Sequence, residues 1–141
     1  MAHEITFAMI KPDAVSAKNV GKIVDAIEQH GFAIVGLHKI DMTKNQAHQL
    51  YEEHKARPFF GEMVDFITSG PVVIMALKKE NAVKAWRDLM GATNPAQADA
   101  GTLRKQFGKS IGNNAVHGSD KPETAARELG IFFANELATM K

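Results

Sequence analysis

The chain has 141 residues, 45% apolar and 23% charged, a balance that suits one compact domain with its own core. Its 17 basic and 16 acidic side chains leave a formal net charge of +1, so the overall field will not gather polyanions and an anionic ligand needs a locally built site. Cysteine is absent, which excludes a disulfide framework, a thiolate zinc site and a cysteine nucleophile, and fits cytoplasmic residence.

In chain order, ITFAMI (5–10) is an unbroken apolar run, the signature of a strand covered on both faces. Lys11 ends it well short of a signal sequence or membrane span, and Pro12 breaks the pattern. Val20, Ile23, Val24 and Ile27 form one helical stripe, with Gly31 where a helix-ending glycine belongs. FAIVGLHKIDM (32–42) reads as a strand, and Thr43 can cap a helix carrying Ala47, Leu50, Tyr51 and His54 on one face. RPFFGEMVDFITSG reads as a short helical insertion, and PVVIMAL (71–77) as a second buried strand.

Val83, Trp86 and Met90 mark a further helix, AVH (115–117) a short strand, and Asp120 with Glu123 a capping box opening a last helix. The last helix carries Ala125, Leu129, Phe132 and Phe133 as its stripe. Between Gly91 and Asn114 no periodicity is legible, and a loop of that length in a compact domain is usually functional. No repeat or linker divides the chain, so residues 1–141 read as one domain. The order β-α-β-(α-α)-β-α-β-α predicts an α/β sandwich, with the ferredoxin-like βαββαβ antiparallel sheet as its simplest form, plus added helices and a C-terminal helix.

Several motifs fail on inspection. GKS at 108–110 lacks the glycine a phosphate loop needs, since position 103 is Leu103. The histidines form no HExxH or other metal-ligand pattern, and the glycines form no GxGxxG. His117, within NNAVHGSDKPE, admits two readings: a strand-end histidine with one hydrogen bond, or a nucleophile. Ser119 stands two residues on, at the start of a helix whose free N–H groups favour negative charge. Glu128, on that helix, could hold one ring nitrogen and leave the other free, or simply reach water. Arg87 and Arg104, with Thr93 and Asn94 between them, could clamp a polyphosphate or be solvated charges. Lys11 follows a buried strand, where α/β sheets bind ligands. Phe59 could stack on a base or fold inward, and Tyr51 and His54 share a helical face that the core would also explain.

The motifs IKPDAV (10–15), YEEHKARPFFGEMV (51–64), SGPVV (69–73), WRDLMGATNPAQADAGTLR (86–104) and NNAVHGSDKPETAARE (113–128) resemble, in order, those of the nucleoside diphosphate kinase family. The likeness runs over roughly residues 4 to 137, and histidine followed by Gly-Ser-Asp is its most specific part. The resemblance implies a ferredoxin-like sandwich and ping-pong transfer of the terminal phosphate from ATP to nucleoside diphosphates. His117 would become phosphohistidine through Nδ1, Glu128 would hold its other nitrogen, and Ser119 would lie close to the phosphate. Lys11, Tyr51, His54, Arg87, Thr93, Arg104 and Asn114 match positions that contact phosphates or ribose hydroxyls. Phe59 would stack on the base, with Ile111 and Met63 beside it. Mg²⁺ would ride on the nucleotide's phosphates with few or no protein ligands, and no membrane or nucleic-acid partner is required.

This chain departs from the family pattern in two ways. Ala100 stands where proline is frequent, and the sequence stops at Lys141 without the longer tail of many eukaryotic members. A short tail suits a homo-oligomeric tetramer first, then a dimer, with a hexamer still open. Two rival readings use the same elements: a non-catalytic nucleotide-binding relative, which would lose the nucleophile or its support, and an RNA-binding module, which would need exposed aromatics on its central strands.

Overall fold

The computed structural model describes residues 3–140. A four-stranded antiparallel sheet forms the middle layer, in the spatial order β2-β3-β1-β4, from β1 (His3–Ile10), β2 (Ala33–Ile40), β3 (Val72–Glu80) and β4 (Val116–Gly118). That order is the ferredoxin-like one, so the predicted fold class holds.

β1 and β3 are central, and their side chains alternate between two separate cores. Ala8 and Ile10 pair with Met75 and Val73 and face one way; Phe7 and Met9 pair with Ala76 and Ile74 and face the other. The first face is covered by α2 (Val20–Gln29) and α5 (Ala82–Met90) through Ile23, Ile27, Trp86 and Leu89. The second is covered by α3 (Lys44–Leu50), α4 (Phe60–Ile67) and α7 (Pro122–Phe132) through Leu50, Val64, Ile67 and Leu129. Cover on both faces is why these strands read as continuous apolar runs. It also closes the sheet to RNA, because Phe7 is completely buried.

The local signals explain most boundaries. α2 ends with Gly31 at φ +86°, its N–H bonded to the Glu28 carbonyl and the Phe32 N–H to that of Ile27, a Schellman closure. Thr43 caps α3 in a full capping box with Gln46. Pro12 does more than interrupt: it opens a short helix, α1 (Pro12–Ser16), because its fixed φ suits the first helical position.

Other boundaries differ from expectation. α3 stops at Leu50, so Tyr51 closes it and His54 lies in the 3₁₀ turn Glu52–His54 instead of on the helix face. The capping box of Asp120 and Glu123 does not form. Pro122 takes the first helical position of α7, which moves the cap to Lys121 and leaves Asp120 outside. The unassigned stretch from 91 to 114 holds a 3₁₀ turn (Pro95–Gln97) and α6 (Leu103–Phe107), capped by Thr102 and anchored by the fully buried Leu103.

Candidate active site

The strand parity that builds the two cores also aims His117. It pairs with Met9 and so shares the face of α3 and α7, while its neighbours Val116 and Gly118 face α5. Its ring lies edge-on to Tyr51 and Phe7, with centroids at 6.0 and 6.1 Å. Nε2 is 3.2 Å from Oε1 of Glu128, a carboxylate only 2% exposed. Donation from Nε2–H to that carboxylate fixes the tautomer with the lone pair on Nδ1, which makes no hydrogen bond among the described residues.

The same Oε1 accepts the Ser119 hydroxyl at 2.8 Å, and Arg127 stands 3.6 Å from Oε2. Ser119 is fully buried, so its hydroxyl is committed to Glu128 and is not presented to open space. From the opposite face, Trp86 Nε1–H donates to the His117 carbonyl at 3.2 Å. Gly118 makes room for this, since a Cβ there would come within 2.3 Å of the indole.

Immediately before β4 the chain turns abruptly. Ala115 has φ +76°, and the Val116 N–H bonds back to the Asn114 carbonyl at 2.9 Å, which makes a classic γ-turn, a rare and strained conformation. The Ala115 N–H donates to Asp13 Oδ2 at 3.1 Å, and its carbonyl accepts the Lys11 N–H at 2.8 Å. The Asn114 amide bridges outward, accepting from Lys11 Nζ at 2.9 Å and donating to the Thr93 carbonyl at 3.0 Å. Arg104 donates to the carbonyls of Gly91 and Val116, both at 3.0 Å.

These cations are crowded and dry. Burial, then the Arg104 charge, pushes the Lys11 ammonium down to about 8, against a smaller upward pull from Asp13. Burial, then Arg87, pushes Arg104 down to about 10. The Tyr51 phenol is pushed the other way by burial and the Glu128 charge, so it stays neutral.

A cleft of ≈ 690 Å³ opens over His117 and Glu128, and Lys11, Tyr51, His54, Thr93, Arg104 and Asn114 line it. Phe59 (43% exposed) and Ile111 (60% exposed) stand at its rim beside Met63. Two of the expected residues are not among the lining: Ser119, for the reason above, and Arg87. The exposed Arg87 faces an adjoining cavity of ≈ 940 Å³, where Nη1 approaches the Asp120 carbonyl at 3.4 Å. Thr93, Arg104 and Gly118 border both hollows.

Asp13, Phe7, Trp86 and Gly118 also shape the site, a role that the sequence pattern did not assign to them. Asp13 had a signal, as the carboxylate just after Lys11-Pro12 in the IKPDAV motif. Lys11, Arg104 and a ring nitrogen with a free lone pair, all at one cleft, suit attack on a phosphorus whose oxygens need cations around them. Exposed apolar groups at the rim suit a flat ring held without base-specific hydrogen bonds.

The family model described as "Nucleoside diphosphate kinase" matches residues 4–137. The nucleoside diphosphate kinase of Geotalea uraniireducens (strain Rf4) is 59% identical over 131 residues, covering 93% of this chain and 96% of that one. That of Geobacter sulfurreducens is 54% identical with the same coverage. Among solved structures, the Aquifex aeolicus nucleoside diphosphate kinase superposes with a TM-score of 0.92 at 41% identity, covering 94% of this chain and 96% of that one.

Proposed function

This chain belongs to the nucleoside diphosphate kinase family and moves the terminal phosphate between nucleotides through a phosphohistidine, and on that premise we propose that His117 is the residue phosphorylated, at Nδ1. The observation that carries the assignment is the Nε2–Glu128 contact, which leaves Nδ1 as the ring's lone pair at the cleft. In the first half-reaction that lone pair bonds to the γ-phosphorus of a nucleoside triphosphate such as ATP. The bond from phosphorus to the β–γ bridging oxygen breaks, and the nucleoside diphosphate leaves with the electron pair. The ring turns cationic while keeping its Nε2 proton, and the buried Glu128 carboxylate stabilises it. A second nucleoside diphosphate then reverses these steps in the same cleft.

Lys11, Asn114 and Arg104 hold the phosphate oxygens in this reading, and Arg87 reaches in from the adjoining hollow. Tyr51, His54 and Thr93 complete the phosphate and ribose contacts, Phe59 and Ile111 cover the base, and Ser119 acts through Glu128. The substrate would be the Mg²⁺ complex of the nucleotide, held through its phosphates by Lys11, Arg104 and Asn114, and the ion would supply neutralisation of phosphate charge. The whole chain acts as one kinase domain, as a cytoplasmic homo-oligomer with a tetramer favoured. Sedimentation velocity tests the last point, and a monomer at working concentration would overturn it.

Brief incubation with γ-labelled ATP and Mg²⁺ tests the central assignment. Acid-labile, alkali-stable label is expected on the protein and should move to any added nucleoside diphosphate, and His117→Ala should abolish both. Label persisting in that variant would place the nucleophile elsewhere.

A further inference from the structure

Resting on His117 as the phosphorylated residue, we propose that Asp13 is a positioning residue for phosphoryl transfer, holding the Ala115 peptide so that Asn114 and His117 are presented together to the cleft. Asn114 opens the γ-turn and His117 follows it, so the orientation of the turn's peptides bears on where each points. Alanine does not choose φ +76° unaided: for an L-residue this conformation is unfavourable and persists only where the surroundings over-determine it.

Those surroundings can be named. The Ala115 carbonyl is tied to the Lys11 N–H, at the start of α1. The Ala115 N–H points at Asp13, two residues later in the same short helix, at 3.1 Å. Both ties come from one rigid piece of chain opened by Pro12, so α1 grips the turn from both sides of a single residue. Ala115 is fully buried, and the Asp13 carboxylate is the partner its N–H has.

The grip rests on one oxygen. Asp13 uses only Oδ2; its Oδ1 is buried without a hydrogen-bond partner. Leaving one buried oxygen unpaired is costly, so what this side chain contributes here is a single acceptor aimed at the Ala115 N–H. Its location, next to Lys11 and behind Asn114, ties the turn that precedes the nucleophile to the residue that carries the ammonium.

The experiment separates positioning from mere folding. Asp13→Ala and Asp13→Asn are compared with the wild type in single-turnover phosphorylation at saturating Mg·ATP, with circular dichroism checking the fold. Asn retains an oxygen acceptor for the Ala115 N–H and Ala does not. The alanine variant is expected to lose about 10- to 100-fold in rate, the scale of an ångström-sized misplacement, while the asparagine variant stays within about threefold of wild type.

A folded Asp13→Ala enzyme with an unchanged rate would overturn the proposal, as would an Asn variant as slow as the Ala variant. Should the alanine variant not fold, amide exchange in the wild type decides: the Ala115 N–H is expected to be strongly protected, and an unprotected one refutes the grip. Failure of the underlying assignment looks different, because the wild type itself would then carry no label on His117.

Discussion

Lys11 sits where a cation is least comfortable, desolvated and next to Arg104. Its ammonium falls from an ordinary 10.5 to about 8 in the free protein, so folding disfavours its charged form. The sign follows: its contribution to stability is full above pH 10.5 and is lost as pH falls through about 8. Bound phosphates act oppositely and raise the group again. Nucleotide affinity should therefore be full below about pH 8 and weaken as pH rises through it. Calorimetry at about pH 8.5, in two buffers of different ionisation enthalpy, should show net proton uptake on nucleotide binding, and Lys11→Arg should remove it. Equal heats in both buffers would mean that Lys11 is already fully charged.

The elements show which parts of this arrangement can be read ahead. The stripe of α2, the capped start of α3 and the apolar runs of β1 and β3 were legible because each is a local pattern with a local cause. The last of these also foretold cover on both faces of the sheet. His117, Glu128, Lys11 and Arg104 were legible as candidates from their chemistry and their resemblance to a family, and they do meet at one cleft. The γ-turn was not, because it falls on an alanine, whose side chain gives no hint of positive φ. Asp13 escaped notice because its partner lies 102 positions away. α6 has only five residues, too few for a helical period. At this scale Thr43→Ala should cost about 1 kcal/mol of stability, the usual worth of such a cap, without touching the site. Urea denaturation and a turnover assay on the same sample check it, and a stability loss within error would show that the cap is dispensable.

The molecule as a whole has two cores but one sheet between them. β1 and β3 contribute alternate residues to both, so neither core can dissolve while the other keeps its strands. The chain should unfold in a single step. Trp86, the only tryptophan, is fully buried in one core, while the α3–α4–α7 layer belongs to the other. In urea, at one protein concentration, tryptophan emission and far-ultraviolet dichroism should trace one transition. Separate midpoints would divide the fold into two cooperative units.

Arg104 is both a rivet for two backbone carbonyls and part of the partition between two hollows. Cutting it back to alanine removes the partition together with the charge. Solvent would then enter from the side, where it meets a high-energy phosphorus–nitrogen bond with no acceptor nucleotide in place. The Arg104→Ala enzyme should be leaky as well as slow, releasing inorganic phosphate from its labelled form faster than the parent does. A label as durable as the parent's would show that the barrier against hydrolysis lies elsewhere.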